Sequence, residues 1–181
     1  MRGEETQIAG FLSLNPSWDG VLCLPGTHTK WAHLSAGEVV SFQTFMTGEL
    51  FDLLGTASVL RHALTGEGWE ADAFEASVRE TMARPERLAA RLFALRAANL
   101  LEGTGPATTR ASLSGLLIGA EIAAARPYWL GQNLAILGTG TQARAYRDAL
   151  ALQGVTAMLT DTERATLAGL TSAHRSLKAR P

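Results

Sequence analysis

The sequence predicts a mixed α/β fold, a sheet with helices packed against it, and the order of its elements carries that prediction. Three short strand-like runs lie between residues 21 and 45. An all-helical stretch fills the middle of the 181 residues, and strand and helix then alternate to the end.

Thr6–Leu14 reads as a short helix, with Glu4 and Glu5 in its first turn, where the helix dipole favours acid, and Asn15-Pro16-Ser17 ending it. The apolar run 21–25 reads as a buried strand closed by Pro25-Gly26. A second strand is expected near Lys30–Leu34. Beyond the Ala36-Gly37 turn, Glu38–Phe45 alternates like a third, which completes an antiparallel meander.

The pattern then changes to helices. Thr47-Gly48-Glu49 has the form of a cap on a run through Leu54, and Thr56–Leu64 predicts a second helix. Ala71–Met82 and Glu86–Leu101 repeat apolar residues at three- and four-residue spacing. After the loop Glu102–Pro106, a strongly apolar helix runs from Thr108 or Thr109 to Ala125, and Gly115 and Gly119 permit close packing on it. Strand Leu134–Leu137, helix Thr141–Gln153, strand Val155–Leu159 and helix Asp161–Leu177 close the chain.

Hydrophobic residues at 46% and charged ones at 18% give an ordinary globular balance and exclude a disordered chain. A net charge of −1 supplies no basic face for nucleic acid. No run reaches the roughly 18 apolar residues of a membrane span, and the first residues lack the apolar core of a signal peptide. The lone Cys23 sits in an apolar run as a small core residue, so a cytoplasmic location is expected. His33, His62 and His174 are scattered without ligand spacing, so no protein metal site is expected.

Two turns carry chemistry. Gly26-Thr27-His28-Thr29-Lys30 follows the first strand with a flexible backbone, two hydroxyls, an imidazole and an ammonium, all suited to an anion such as phosphate. The same residues also make an ordinary hairpin turn with a solvated lysine. Gly138-Thr139-Gly140-Thr141-Gln142-Ala143 follows a late strand and opens a helix in the form G-x-G-x-x-A, with Asp161 beyond the next strand. Locally that is a dinucleotide fingerprint. Too little chain follows it for a doubly wound sheet, so nicotinamide binding by an oxidoreductase is only a third reading, and a plain tight turn is its bland counterpart.

Four blocks, Met1–Gln7, Leu24–Trp31, Phe45–Leu50 and Ser114–Glu121, together resemble the 2-dehydro-3-deoxygalactonokinase family, in order and nearly end to end. The resemblance implies an actin-like, ribonuclease H-like C-terminal lobe. Residues 1–19 would form the lobe-junction helix and 20–181 the nucleotide-binding lobe, a mixed sheet with a helical insertion. The family's N-terminal lobe, with its Asp-Trp-Gly-Ser/Thr-Thr motif, has no counterpart in these residues. Activity would be ATP-dependent phosphorylation of a sugar acid, 2-dehydro-3-deoxy-D-galactonate, with Mg2+. A homo-oligomer or a separate N-terminal lobe would be the partner. The alternative is a non-catalytic half domain acting by association.

The resemblance also implies roles. Related kinases of the glycerol and xylulose type carry Gly-Asp-Gln where this chain has Gly3-Glu4-Glu5, which makes Glu4 the general base and Glu5 the second choice. Gly26, Thr27, His28, Thr29 and Lys30 become the β/γ-phosphate turn. In it Thr27 and Thr29 donate hydroxyls, His28 bonds within the turn, and Lys30 adds charge or lies on Trp31. Gly138, Thr139, Gly140 and Thr141 become the adenosine turn. Glu121 is expected to make an internal hydrogen bond.

Overall fold

The computed structural model describes residue 1 and residues 3–178; Arg2, in the first of the four blocks, and residues 179–181 lie outside the described residues. One five-stranded sheet organises the chain, in the order β3-β2-β1-β4-β5. Strands β1 (Gly20–Leu24), β2 (Thr29–Ser35) and β3 (Glu38–Phe45) form the expected antiparallel meander. Strands β4 (Leu134–Leu137) and β5 (Ala157–Thr160) extend it in parallel from β1. This is the ribonuclease H-like arrangement.

Every residue of β1 is buried, and alternation sends its side chains into two cores. Val21 and Cys23, with Trp31, Leu134 and Ile136, pack against helices α3 (Ala71–Ala83), α5 (Pro106–Ala124) and α7 (Thr141–Ala151). Leu22, Leu24, Ala32, Leu34, Ala135 and Leu137 face α1 (Glu4–Leu14) and α8 (Thr162–Lys178) on the other side. The α1–α8 crossing brings backbone onto backbone. A Cβ on Gly10 would stand 1.8 Å from Ala165 O, and one on Gly169 would stand 2.0 Å from Thr6 O.

The insertion between β3 and β4 differs from expectation in detail. Helix α2 spans Thr47–Ala57, and Ser58 then caps a 3₁₀ turn, Val59–Ala63, so residues 56–64 are not a separate α-helix. Ser58 Oγ accepts from Leu60 N–H at 3.0 Å, which stops α2 and starts the tighter turn. Pro85 opens another 3₁₀ turn, Pro85–Arg87, and α4 follows only at Leu88–Glu102. Pro106 begins α5 two or three residues early, as suits a ring whose missing N–H is unpaired there anyway. A short α6 (Arg126–Trp129) was not expected from the sequence. Leu60, Leu64, Leu113 and Leu117 form a third, smaller core under α2 and α4.

Candidate active site

Strands β1 and β4 lie side by side and parallel, yet the chain leaves β1 toward β2 and leaves β4 toward β5. Adjacent strand ends from which the chain departs in opposite directions leave a crevice, and open α/β sheets bind ligands there. Both glycine turns sit at this point, residues 25–28 after Leu24 and residues 138–140 after Leu137. Gln142 Nε2 donates to Gly26 O at 3.2 Å and joins them.

The early turn is shaped from α2. Gly48 comes so close that a Cβ there would lie 2.3 Å from Gly26 O, and Glu49 N–H donates to Thr27 O at 2.9 Å. The Glu49 carboxylate pairs with His28 Nε2 at 2.5 Å, so His28 is held from α2 and not within its own turn. Gly26 itself is open, with nothing within 4 Å of where a Cβ would stand, and Thr27 is exposed beside it.

On the other flank, Lys30 Nζ lies 2.7 Å from Glu4 Oε1 and donates to His28 O at 3.0 Å. Lys30 is nearly buried, so its charge is fixed in place between α1 and the turn and does not lie free on Trp31. A cleft of about 490 Å³ opens here, lined by Glu4, Gln7, Gly26, Thr27, His28 and Lys30 among others. Glu4 enters it from the first turn of α1, whose N-cap, Gly3, sits at φ +100°. Glu5 does not line the cleft. Its Oε2 accepts from Gly3 N–H at 3.0 Å, the helix-terminal part that an acid plays there.

The late turn uses glycine for its backbone. Gly138 has φ +138° and donates its N–H to Thr160 O at 2.8 Å. Arg144 Nη1 reaches back to Thr139 O at 2.6 Å, and Gly140 and Thr141 open α7 with their side of the turn exposed. A second cavity of about 470 Å³ lies between this turn and the insertion. Phe51, Trp69, Leu117 and Ile118 give it apolar walls, and Thr27, Thr141 and Gln142 add polar ones.

Beneath the turns lies a buried polar cluster. Trp31 Nε1 and Tyr146 Oη each donate to the Glu121 carboxylate at 2.7 Å. Thr29 Oγ1 lies 2.9 Å from Tyr146 Oη and, with the phenol proton given to Glu121, donates to it. Burial pushes the Glu121 carboxyl pKa up, while hydrogen bonds from Thr47, Tyr146, Trp31 and Thr29 pull against that rise. Burial also raises the Tyr146 phenol and the Cys23 thiol, each further disfavoured as an anion by the Glu121 charge nearby.

Several expectations change on this geometry. Thr29 is fully buried with its hydroxyl turned to Tyr146, so it is no phosphate donor through its side chain. Thr47 does not cap α2; it is the first helical residue, buried, with its hydroxyl toward Glu121. Asp161, the ribose acid of the nicotinamide reading, instead accepts from Arg164 N–H at 2.7 Å and caps α8. Glu121 makes its expected internal bonds. Sequence reasoning missed Arg110, whose Nη2 donates to Leu64 O and Gly66 O, both at 2.8 Å, fastening the loop that brings Trp69 to the second cavity. Its only signal was an arginine in the first turns of an apolar helix.

The sheet order and the paired turns define the class: a fold of the actin-like, ribonuclease H-like kind. The profile of the 2-keto-3-deoxy-galactonokinases matches residues 1–173. The chain belongs to that family. It is 40% identical over 185 residues to a probable 2-dehydro-3-deoxygalactonokinase of Rhizobium meliloti (strain 1021), covering 98% of this chain and 59% of that protein. It is 41% identical to the 2-dehydro-3-deoxygalactonokinase of Escherichia coli (strain K12), covering 90% of this chain and 56% of that one. A crystal structure of a putative 2-dehydro-3-deoxygalactonokinase from Sinorhizobium meliloti superposes with a TM-score of 0.92 at 40% identity, over 98% of this chain and 60% of that one. Component A of (R)-2-hydroxyglutaryl-CoA dehydratase from Acidaminococcus fermentans shares the fold, with a TM-score of 0.61 at 15% identity, over 97% of this chain and 69% of that one. The chain thus spans about three fifths of the length of the kinases it matches.

Proposed function

We propose that this chain is the nucleotide-binding lobe of an ATP-dependent kinase acting on the hydroxyl of a sugar acid, 2-dehydro-3-deoxy-D-galactonate. One observation carries the reading: the early glycine turn stands between the two cavities, Thr27 lining both, with the Glu4 carboxylate in one and Thr141 and Gln142 of the first turn of α7 in the other. The kinase names of its relatives supply the substrate class.

In this reading each residue takes the part that its position supports. The backbone at Gly26 and the Thr27 hydroxyl receive the phosphate oxygens, and Lys30 supplies charge from behind the turn. Gly140 and Thr141 present the N-terminus of α7 to the nucleotide. The apolar cavity beside them is of a size that ordinary ligand pockets span, about 300–1,000 Å³, and suits a base. Glu4, oriented by Lys30, accepts the proton of the attacking hydroxyl. As the new oxygen–phosphorus bond forms, the bond to the β-phosphate oxygen breaks and ADP leaves.

No group of three or more His, Cys, Asp or Glu among the described residues could hold a metal. Mg2+ would therefore be carried by phosphates and water, leaving the Glu4 carboxylate in the cleft to take the proton. It would neutralise charge on the phosphates. A cytoplasmic location accords with this reading.

Thermal unfolding with Mg-ADP, with NADH and with neither tests it. At a hundredfold its dissociation constant a ligand adds about 2.7 kcal/mol, which raises the midpoint by roughly 5–10 °C for a domain of this size. A rise with Mg-ADP alone supports the kinase lobe, and a rise with NADH alone overturns it. A second reading, association without catalysis, draws on the exposed Leu167, Leu170 and Leu177 of α8. Self-association in sedimentation, without any response to Mg-ADP, would favour it.

A further inference from the structure

Glu121 sits 3% exposed, one layer beneath the turn, and takes no part in the chemistry described above. Its surroundings are specific. Trp31 on β2 and Tyr146 on α7 hold one oxygen each, Thr29 joins through Tyr146, and Thr47 at the start of α2 completes the set. These partners lie in the three elements that shape the site. Thr29 ends the phosphate-type turn. Thr47 precedes Gly48 and Glu49, which press and bond the backbone of Gly26 and Thr27. Tyr146 lies one helical turn beyond Gln142, which bonds Gly26 O.

The carboxylate is itself held firmly. Helix α5 seats on α3 through glycines: a Cβ on Gly115 would lie 2.5 Å from Phe74 O, and one on Gly119 would lie 3.0 Å from Val78 O. That contact leaves α5 little freedom to rotate or slide. Apolar packing is non-directional and could fill the same space, and an isolated buried charge is costly. A carboxylate with directed donors fixes the angles between elements, which packing alone does not.

We propose that Glu121 is a positioning residue of the nucleotide site: through Tyr146, Thr29, Thr47 and Trp31 it sets the turn 25–29 in register with α2 and α7, and so sets the affinity for nucleotide phosphates. This rests on the kinase-lobe reading above.

The test compares Tyr146→Phe, which keeps the ring and removes the hydroxyl, with Glu121→Gln, which keeps an acceptor for Trp31 and offers an amide to Tyr146. Mg-ADP affinity is measured by calorimetry, and native-state amide exchange is followed across the chain. Tyr146→Phe should weaken Mg-ADP by about 10-fold, as loss of a hydrogen bond to a charged group allows. Exchange should quicken at residues 26–29 and 47–49 while β1 and β4 keep their protection. Glu121→Gln should keep affinity within about 3-fold of the parent, since it retains most of the bonds. A Tyr146→Phe chain that is merely less stable, with unchanged affinity and uniform loss of protection, overturns the proposal. If the unsubstituted chain does not bind Mg-ADP, the nucleotide reading fails separately. Exchange at 26–29 still decides the positioning role: quickened exchange supports it and unchanged exchange overturns it.

Discussion

Gly48 should be the residue at which stability and binding are lost together. In Gly48→Ala the new Cβ would lie 2.3 Å from Gly26 O and 2.8 Å from Thr27 Cα, both backbone atoms that no side-chain rotation can move. Ordinary contact begins at 3.4 Å, so the turn and the start of α2 must part by about 1.1 Å, the difference between 3.4 and 2.3 Å. The bond from Glu49 N–H to Thr27 O, now 2.9 Å, does not survive that separation. Overpacking costs about 1–3 kcal/mol, and losing the bond adds about 0.5–1.5 kcal/mol. Alanine returns roughly 1 kcal/mol of helix propensity. The net loss should be about 0.5–3.5 kcal/mol, which a domain of ordinary stability survives folded. Mg-ADP affinity should fall as well, because the same shift moves the Gly26 and Thr27 backbone that the proposed phosphate contact uses. Gly55→Ala, in the same helix with only Leu64 Cδ1 at 3.6 Å, is the control and should stabilise by about 0.5–1 kcal/mol. Urea unfolding and Mg-ADP calorimetry on both variants decide the matter. A Gly48→Ala chain as stable as Gly55→Ala and with the parent's affinity would refute the view that α2 sets the turn.

Three further outcomes follow from the same geometry. Glu4→Gln in a catalytically active form should lower turnover by about 10²–10⁴-fold and leave Mg-ADP affinity near the parent's; unimpaired turnover in a coupled assay would remove Glu4 from its role. Gly10→Ala and Gly169→Ala should each destabilise by about 1–3 kcal/mol or more, read from denaturant midpoints, because each Cβ would meet a backbone oxygen at 2.0 Å or less. Burial raises the Glu121 carboxyl pKa. A carboxyl that binds its proton more tightly folded than unfolded stabilises the fold fully below its unfolded value, about 4.3, and loses that contribution as pH rises through the folded value. Glu121→Gln should therefore flatten the decline in stability above pH of about 4.3, and an unchanged pH profile would count against the burial argument.

The strands were legible because their signals are local. Five buried residues ending in Pro-Gly, and an alternating run after Ala36-Gly37, need no tertiary information. The glycine turns were legible as turns for the same reason. Their meeting was not, since it depends on β1 and β4 becoming parallel neighbours across more than a hundred residues. Thr29 was misread because its neighbours Thr27 and His28 are exposed, and strand alternation turns only Thr29 inward to Tyr146. The helix at 56–64 failed because Ser58 competes for the backbone. The α1–α8 crossing left no periodic trace at all: two glycines far apart in sequence state nothing until they touch.

The turn 25–29 is braced on two sides by ion-type contacts of opposite character. Glu4 and Lys30, with side chains 21% and 9% exposed, lie largely out of reach of dissolved ions. His28 and Glu49, at 50% and 39%, stand in the solvent. Where His28 carries a second proton, mobile ions screen that pair across a Debye length of about 8 Å at physiological strength, and the first far less. Rising salt should then loosen the His28–Glu49 side-chain tie to α2 while leaving the tie to α1 and the Glu49 N–H to Thr27 O bond intact. The carboxylate at the head of α1 would hold its place as the opposite wall of the cleft relaxed, making the site's response to ionic strength one-sided.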